Sequence, residues 1–111
     1  MSNHIHAIAS EALKYLAETD EDCANAKAHM RGMEYAVKHT ASQQTLCAEA
    51  KTASERKCVA EDSQAFRDVA AKHVDAIKDY ELLAMKRATQ LARFEWARSL
   101  NANHRQGGGN L

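Results

Sequence analysis

The chain has 111 residues, no proline, three cysteines, and 15 Lys/Arg balanced against 15 Asp/Glu. That length points to one domain with a modest core. It has no apolar run of transmembrane length, no signal-peptide pattern and no lipidation motif, which argues against a membrane protein. A sequence pI near 7.0 argues against a dedicated, strongly basic nucleic-acid binder.

The hydrophobic share of 45% includes much alanine, and aromatic residues make up only 5%. Alanine surfaces permit close helix approach but bury little area each, so the sequence predicts a thin helical core completed in part by a second subunit. Charge is unevenly placed. Residues 1–83 hold 10 Lys/Arg and 14 Asp/Glu (−4), whereas residues 84–111 hold 5 and 1 (+4). This asymmetry marks the C-terminal end as a candidate surface for an anion or a partner. Cys23, Cys47 and Cys58 form no CxxC pair, and their odd number suggests free thiols in a reducing compartment.

In chain order, Ile5, Ile8, Ala12, Leu13 and Leu16 recur every three or four residues and predict a short amphipathic helix over 1–18. His4 and His6 lie at its front as ordinary polar residues. Thr19-Asp20-Glu21-Asp22 then reads as a stop and a new start. The threonine hydroxyl is suited to cap, and the three acids suit the first turn of the next helix.

A second helix is expected from about 20 to 50. Cys23, Met30, Val37 and Gln44 occupy one heptad position, and Ala26, Met33, Thr40 and Cys47 the other. Gly32 costs roughly 1 kcal/mol relative to alanine inside a helix. The expected compensation is close approach of a neighbouring backbone where helix 1 crosses. Glu34 and Lys38 form a favourable i,i+4 pair.

Thr52-Ala53-Ser54-Glu55 is a further capping box, opening a helix over 52–100 without glycine or proline. At ~1.5 Å per residue it would extend ~70 Å, which requires a long partner helix. Asp62-Ser63 offers a weaker second start and leaves a break open there. The heptad seam is read through Ala70, Ile77, Ala84 and Leu91, flanked by Phe66, Tyr80 and Phe94, with His73 facing the core. A second apolar strip runs through Leu82, Met85, Ala92, Trp96 and Leu100, and one partner helix cannot cover both. Asn101-Ala102-Asn103 should fray the helix, leaving residues 1–106 as a single helical domain and 107–111 as a flexible tail.

No P-loop, GxGxxG, GxSxG, HExxH or ExxH pair is present, so no catalytic residue, cofactor or metal site is assigned. Glu81 and Glu95, 14 residues apart, are placed beside the seam as register-fixing carboxylates. Arg87, Arg98 and Arg105 share one side of the helix, with Lys86 and Arg93 on another. Trp96, Phe94 and His104 supply stacking groups. Lys86, Arg87, Arg93, Trp96, Arg98, His104 and Arg105 are therefore the candidate contacts to nucleic acid or a partner.

The segments Tyr15-Leu16-Ala17-Glu18-Thr19-Asp20 and Ala24-x-Ala26-Lys27-Ala28 resemble the opening of small helical proteins of tailed bacteriophages. Tyr80-Glu81-Leu82-Leu83, Lys86-Arg87 and Glu95-Trp96-x-Arg98-Ser99-Leu100-x-Ala102 resemble their C-terminal helix, and the likeness covers roughly residues 13–105. It implies a phage origin, and genes placed among those of DNA replication and recombination. Where such relatives carry a more basic middle, this chain has Cys58-Val59-Ala60-Glu61-Asp62.

The combined expectation is an all-α, self-associating protein, with a short N-terminal helix followed by a long antiparallel, coiled-coil-like hairpin. Its expected role is a non-enzymatic accessory of phage DNA metabolism in the host cytoplasm. It would bind DNA or a protein through the basic C-terminal helix, form a homo-oligomer and need no membrane. The alternative is an adaptor or inhibitor of a host factor without nucleic-acid affinity.

Overall fold

A computed structural model describes residues 2–109, with side chains described for residues 3–103. The fold is all-α with hairpin topology. It comprises α1 (Ser2–Cys47), α2 (Ala53–Glu61) and α3 (Gln64–Gly109), with no strand among the described residues. Two compact units are present, one of Met1–Cys23 with Leu82–Leu111 and one of Ala24–Glu81.

In the first unit the α1 seam is Ile5, Ile8, Ala12, Tyr15, Thr19 and Cys23, and the α3 seam is Leu83, Arg87, Gln90, Phe94 and Ala97. Both follow steps of three and four, the spacing that keeps one stripe facing a partner helix. Arg87 of α3 reaches Leu16, Thr19 and Asp20, while the later residue Trp96 shares a groove with the earlier Ile8. The two helices therefore run antiparallel here. Ala12 and Ala97 are fully buried, so the centre of the unit is made of alanine. Small side chains let helices approach closely while contributing little apolar area each.

The break expected at Thr19 to Asp22 is absent, and the predicted short helix and second helix are one element, α1. The Thr19 hydroxyl donates to the Tyr15 carbonyl at 2.8 Å instead of capping a new helix. At the other end, α3 continues through 101–103 to Gly109, past the point where fraying was expected. Asn110 and Leu111, part of the expected tail, lie outside the described residues.

In the second unit the expected α1 heptad holds. Ala26, Met30, Met33, Val37, Thr40 and Gln44 are all half-buried, while Cys47 at the helix end is exposed. Thr52 caps α2 in an extended conformation, its hydroxyl accepting from the Glu55 amide at 3.1 Å. The Arg56 guanidinium donates to the Ala50 carbonyl at 3.1 Å and holds the connection.

The long helix expected over 52–100 is interrupted after Glu61. Ser63 recaps the chain, accepting from the Phe66 amide at 3.2 Å and donating to the Ala60 carbonyl at 2.7 Å. Arg67 pairs with Asp62 across the same turn. Asp62-Ser63 is thus a real start, and α3 begins there.

The seam of α3 in this unit is Phe66, Val69, His73, Ala76 and Tyr80. The expected seam through Ala70, Ile77, Ala84 and Leu91 is one residue out of phase. The first three border the true seam, half-buried, and Leu91 is exposed. Gly32 also departs from expectation: a Cβ built on it meets nothing within 4 Å, so no neighbouring backbone requires the glycine.

Candidate interaction surface

The most constrained polar group in the first unit is Arg87. Its Nη1 donates to the Leu16 carbonyl at 2.8 Å and to Thr19 Oγ1 at 2.7 Å, and its Nη2 to Asp20 Oδ1 at 2.5 Å. Its side chain is only 21% exposed, so the guanidinium is committed to α1 rather than offered to a ligand. Sequence reading placed Arg87 on a basic stripe. The signal for its actual role was its spacing, seven residues from both Tyr80 and Phe94 in the seam. A polar side chain at such a position fixes helix register, because slipping the helices would strand the charge.

The other candidate residues fall on the outer side of α3. Lys86, Arg93, Trp96 and Arg98 are exposed. Arg93 makes a local bond to Gln90 Oε1 at 3.3 Å, which leaves most of its guanidinium open to solvent. Glu81 and Glu95, expected beside the seam, are exposed instead, each one residue beyond a seam aromatic (Tyr80, Phe94) and turned outward. The side chains of His104 and Arg105 lie outside the described residues.

From Leu82 to Trp96 the second apolar strip is where the sequence places it, while Leu100, expected to continue it, is half-buried. Leu82, Met85 and Trp96 are 48%, 64% and 54% exposed, with Ala92 exposed between them. Thr89, Ala92, Arg93 and Trp96 also line an apolar groove closed on one side by Ile8 of α1. Positions 82, 85, 89, 92 and 96 again follow steps of three and four, so they form a second stripe on the helix surface away from the seam.

Charge also reads differently once the helices are paired. Residues 1–23 carry one Lys/Arg and five Asp/Glu (−4), and residues 82–111 carry five and one (+4). Both stretches belong to the first unit, which therefore holds 6 Lys/Arg and 6 Asp/Glu and is neutral. The asymmetry along the chain is a complementarity between two packed helices. That complementarity is met most directly where Arg87 reaches Asp20, since four of the five acids of residues 1–23 lie at 18–22.

Elsewhere, a shallow apolar groove in the second unit is lined by Ala41, Thr45 and Leu46 of α1 and by Ala53 and Lys57 of α2. Tyr35 stacks on His39 on the surface of α1, with ring centroids 6.4 Å apart. Among the described residues no group of three or more His, Cys, Asp or Glu is arranged to hold a metal ion, and no helix is long and apolar enough to cross a membrane. Compared with protein-family models, curated proteins and solved structures, the chain gives no match.

Proposed function

We propose that this protein is a non-enzymatic, phage-encoded accessory protein that acts through protein contacts along the outer face of α3, self-association among them. The observation that carries this reading is the line of Leu82, Met85 and Trp96, each about half exposed or more, on a helix whose opposite side is already packed. Large apolar side chains aligned at helical spacing on a surface are the ordinary mark of a helix–helix interface. Arg87 supports it by anchoring the same stretch of α3 to α1, so that the strip is presented on a fixed element. The phage origin, and a place near DNA replication and recombination, rest on the resemblance of residues 13–105.

A second reading, nucleic-acid binding, is favoured by one feature: Lys86, Arg93 and Arg98 are exposed around the exposed Trp96 ring. The neutrality of the first unit weighs against it. Light scattering at micromolar concentration, paired with a retardation assay on single- and double-stranded DNA across a salt series, separates the two. Protein contact predicts a mass above the 12.3 kDa of one chain and no shift of DNA. A monomer that retards DNA, with a salt dependence lost on Lys86→Ala and Arg93→Ala, would reverse the order of the readings.

A further inference from the structure

We infer that the outer strip of α3 is covered by the same strip of a second copy, with the two α3 helices parallel and in register. This rests on the self-association reading above and specifies its geometry. Taking 82, 89 and 96 as one core position of the strip and 85 and 92 as the other, the flanking positions sort by charge. One flank carries Lys86 and Arg93, and the other carries Glu81 and Glu95, with Ala88 between the two acids. All four charged residues are exposed, and neither Glu81 nor Glu95 makes a hydrogen bond or ion pair among the described residues.

Flank charges decide orientation in paired helices. In an antiparallel pair each flank meets its own kind, so Lys86 and Arg93 would face the same basic flank of the second copy, and Glu81 and Glu95 the same acidic one. In a parallel, in-register pair each flank meets the opposite one. Glu81 then faces Lys86 of the second copy, five residues on, and the symmetry gives this ion pair twice. Apolar contacts become like-to-like, Leu82 on Leu82 and Met85 on Met85, with the small residues Thr89 and Ala92 letting the helices approach before Trp96. The neutrality of the first unit means that parallel pairing brings no net charge of one sign together.

Charge reversal with mixing tests this directly. The native chain, Glu81→Lys and Lys86→Glu are each measured by sedimentation equilibrium, alone and as an equimolar mixture of the two variants. The native chain is expected to dimerise. Each variant alone sets like charges against each other twice and should bind itself roughly tenfold more weakly. In the mixed pair the new charge at 81 meets the new, opposite charge at 86, and native Lys86 meets native Glu81, so the mixture should recover native affinity.

An independent check uses Met85→Cys in a background carrying Cys23→Ala, Cys47→Ala and Cys58→Ala. Mild oxidation should give a covalent dimer through 85 to 85. A native chain that stays monomeric overturns both this inference and the self-association reading. A native dimer whose single variants bind themselves as tightly as the native chain, or whose Met85→Cys form does not cross-link, overturns the parallel register alone.

Discussion

At Thr52 the backbone is extended, the hydroxyl accepts from the amide three residues on, and α2 begins. At Thr19, which is followed in the same way by an acid three residues later, the backbone is helical and α1 runs straight through. Local chemistry does not separate the two stretches, because both offer a hydroxyl, an acidic first turn and good helix formers upstream. Long-range contact does. The carbonyl of Leu16, the hydroxyl of Thr19 and the carboxylate of Asp20 are all held by Arg87. Around Thr52 the bonds among the described residues are local: the Arg56 guanidinium to Ala50, the Glu55 amide to the Thr52 hydroxyl and the Arg56 amide to the Thr52 carbonyl. A capping box permits a helix to start, and the tertiary partner determines whether the chain uses it.

The largest expected effect comes from removing that partner. Arg87→Ala deletes three hydrogen bonds from a charged donor, one of them an ion pair, at a mostly shielded site, and should cost about 2 kcal/mol. Urea unfolding followed by circular dichroism reads the loss. Native-state amide exchange locates it: protection should fall first at 19–22, where the released box can compete with the continuous helix. Faster exchange spread evenly over α1 would mean that Arg87 does not suppress a break at Thr19.

The same contrast shows what the residues reveal in advance. The all-helical character, the heptad of α1 from Cys23 to Gln44, the cap at Thr52 and the exposed strip of α3 from Leu82 to Trp96 are legible, because each is written in local spacing or a local hydrogen bond, whereas the helix boundaries at Thr19 and Glu61 are not. The seam of α3 is legible only in part, through Phe66, His73, Tyr80 and Phe94, and the rest is hidden for a physical reason. Its own positions include Arg87 and Gln90, while the neighbouring phase carries Ile77 and Leu91. Hydropathy therefore favours the wrong phase by one residue when the true seam is built from alanine and hydrogen-bonded polar groups. Arg87 was visible as a charge, but its partners lie 67 to 71 residues away, beyond the reach of a local pattern. The neutrality of the first unit is hidden similarly, since it emerges only once 1–23 and 82–111 are packed together.

Of intermediate size are the two threonine substitutions, which should cost similar amounts by different routes. Thr52→Ala removes a cap and should lower stability by about 1 kcal/mol, with Thr52→Ser nearly neutral. Thr19→Ala removes an acceptor of Arg87 and should also cost about 1 kcal/mol. A double-mutant cycle tells them apart: Thr19→Ala should couple to Arg87→Ala by about 0.5–1 kcal/mol, and Thr52→Ala should not couple measurably. Equal coupling for both would erase the distinction between a cap and a clamp.

The smallest effect concerns the second place along α1 where local chemistry opposes the helix and the helix prevails. Gly32 sits in the middle of the 46-residue element. If it were retained for close approach of a neighbouring backbone, a methyl group would collide and Gly32→Ala would destabilise. The surroundings give the opposite sign, for a Cβ at 32 meets open space and no glycine here has positive φ. Alanine would therefore keep every contact while removing backbone freedom from the unfolded chain, so Gly32→Ala should stabilise by about 0.5–1 kcal/mol. The gain should be additive with the loss from Thr19→Ala, because residues 19 and 32 are almost four turns apart at ~3.6 residues per turn. A destabilised Gly32→Ala chain would mean that another surface packs against α1 at this point, and the first place to look for it would be a second copy of the protein.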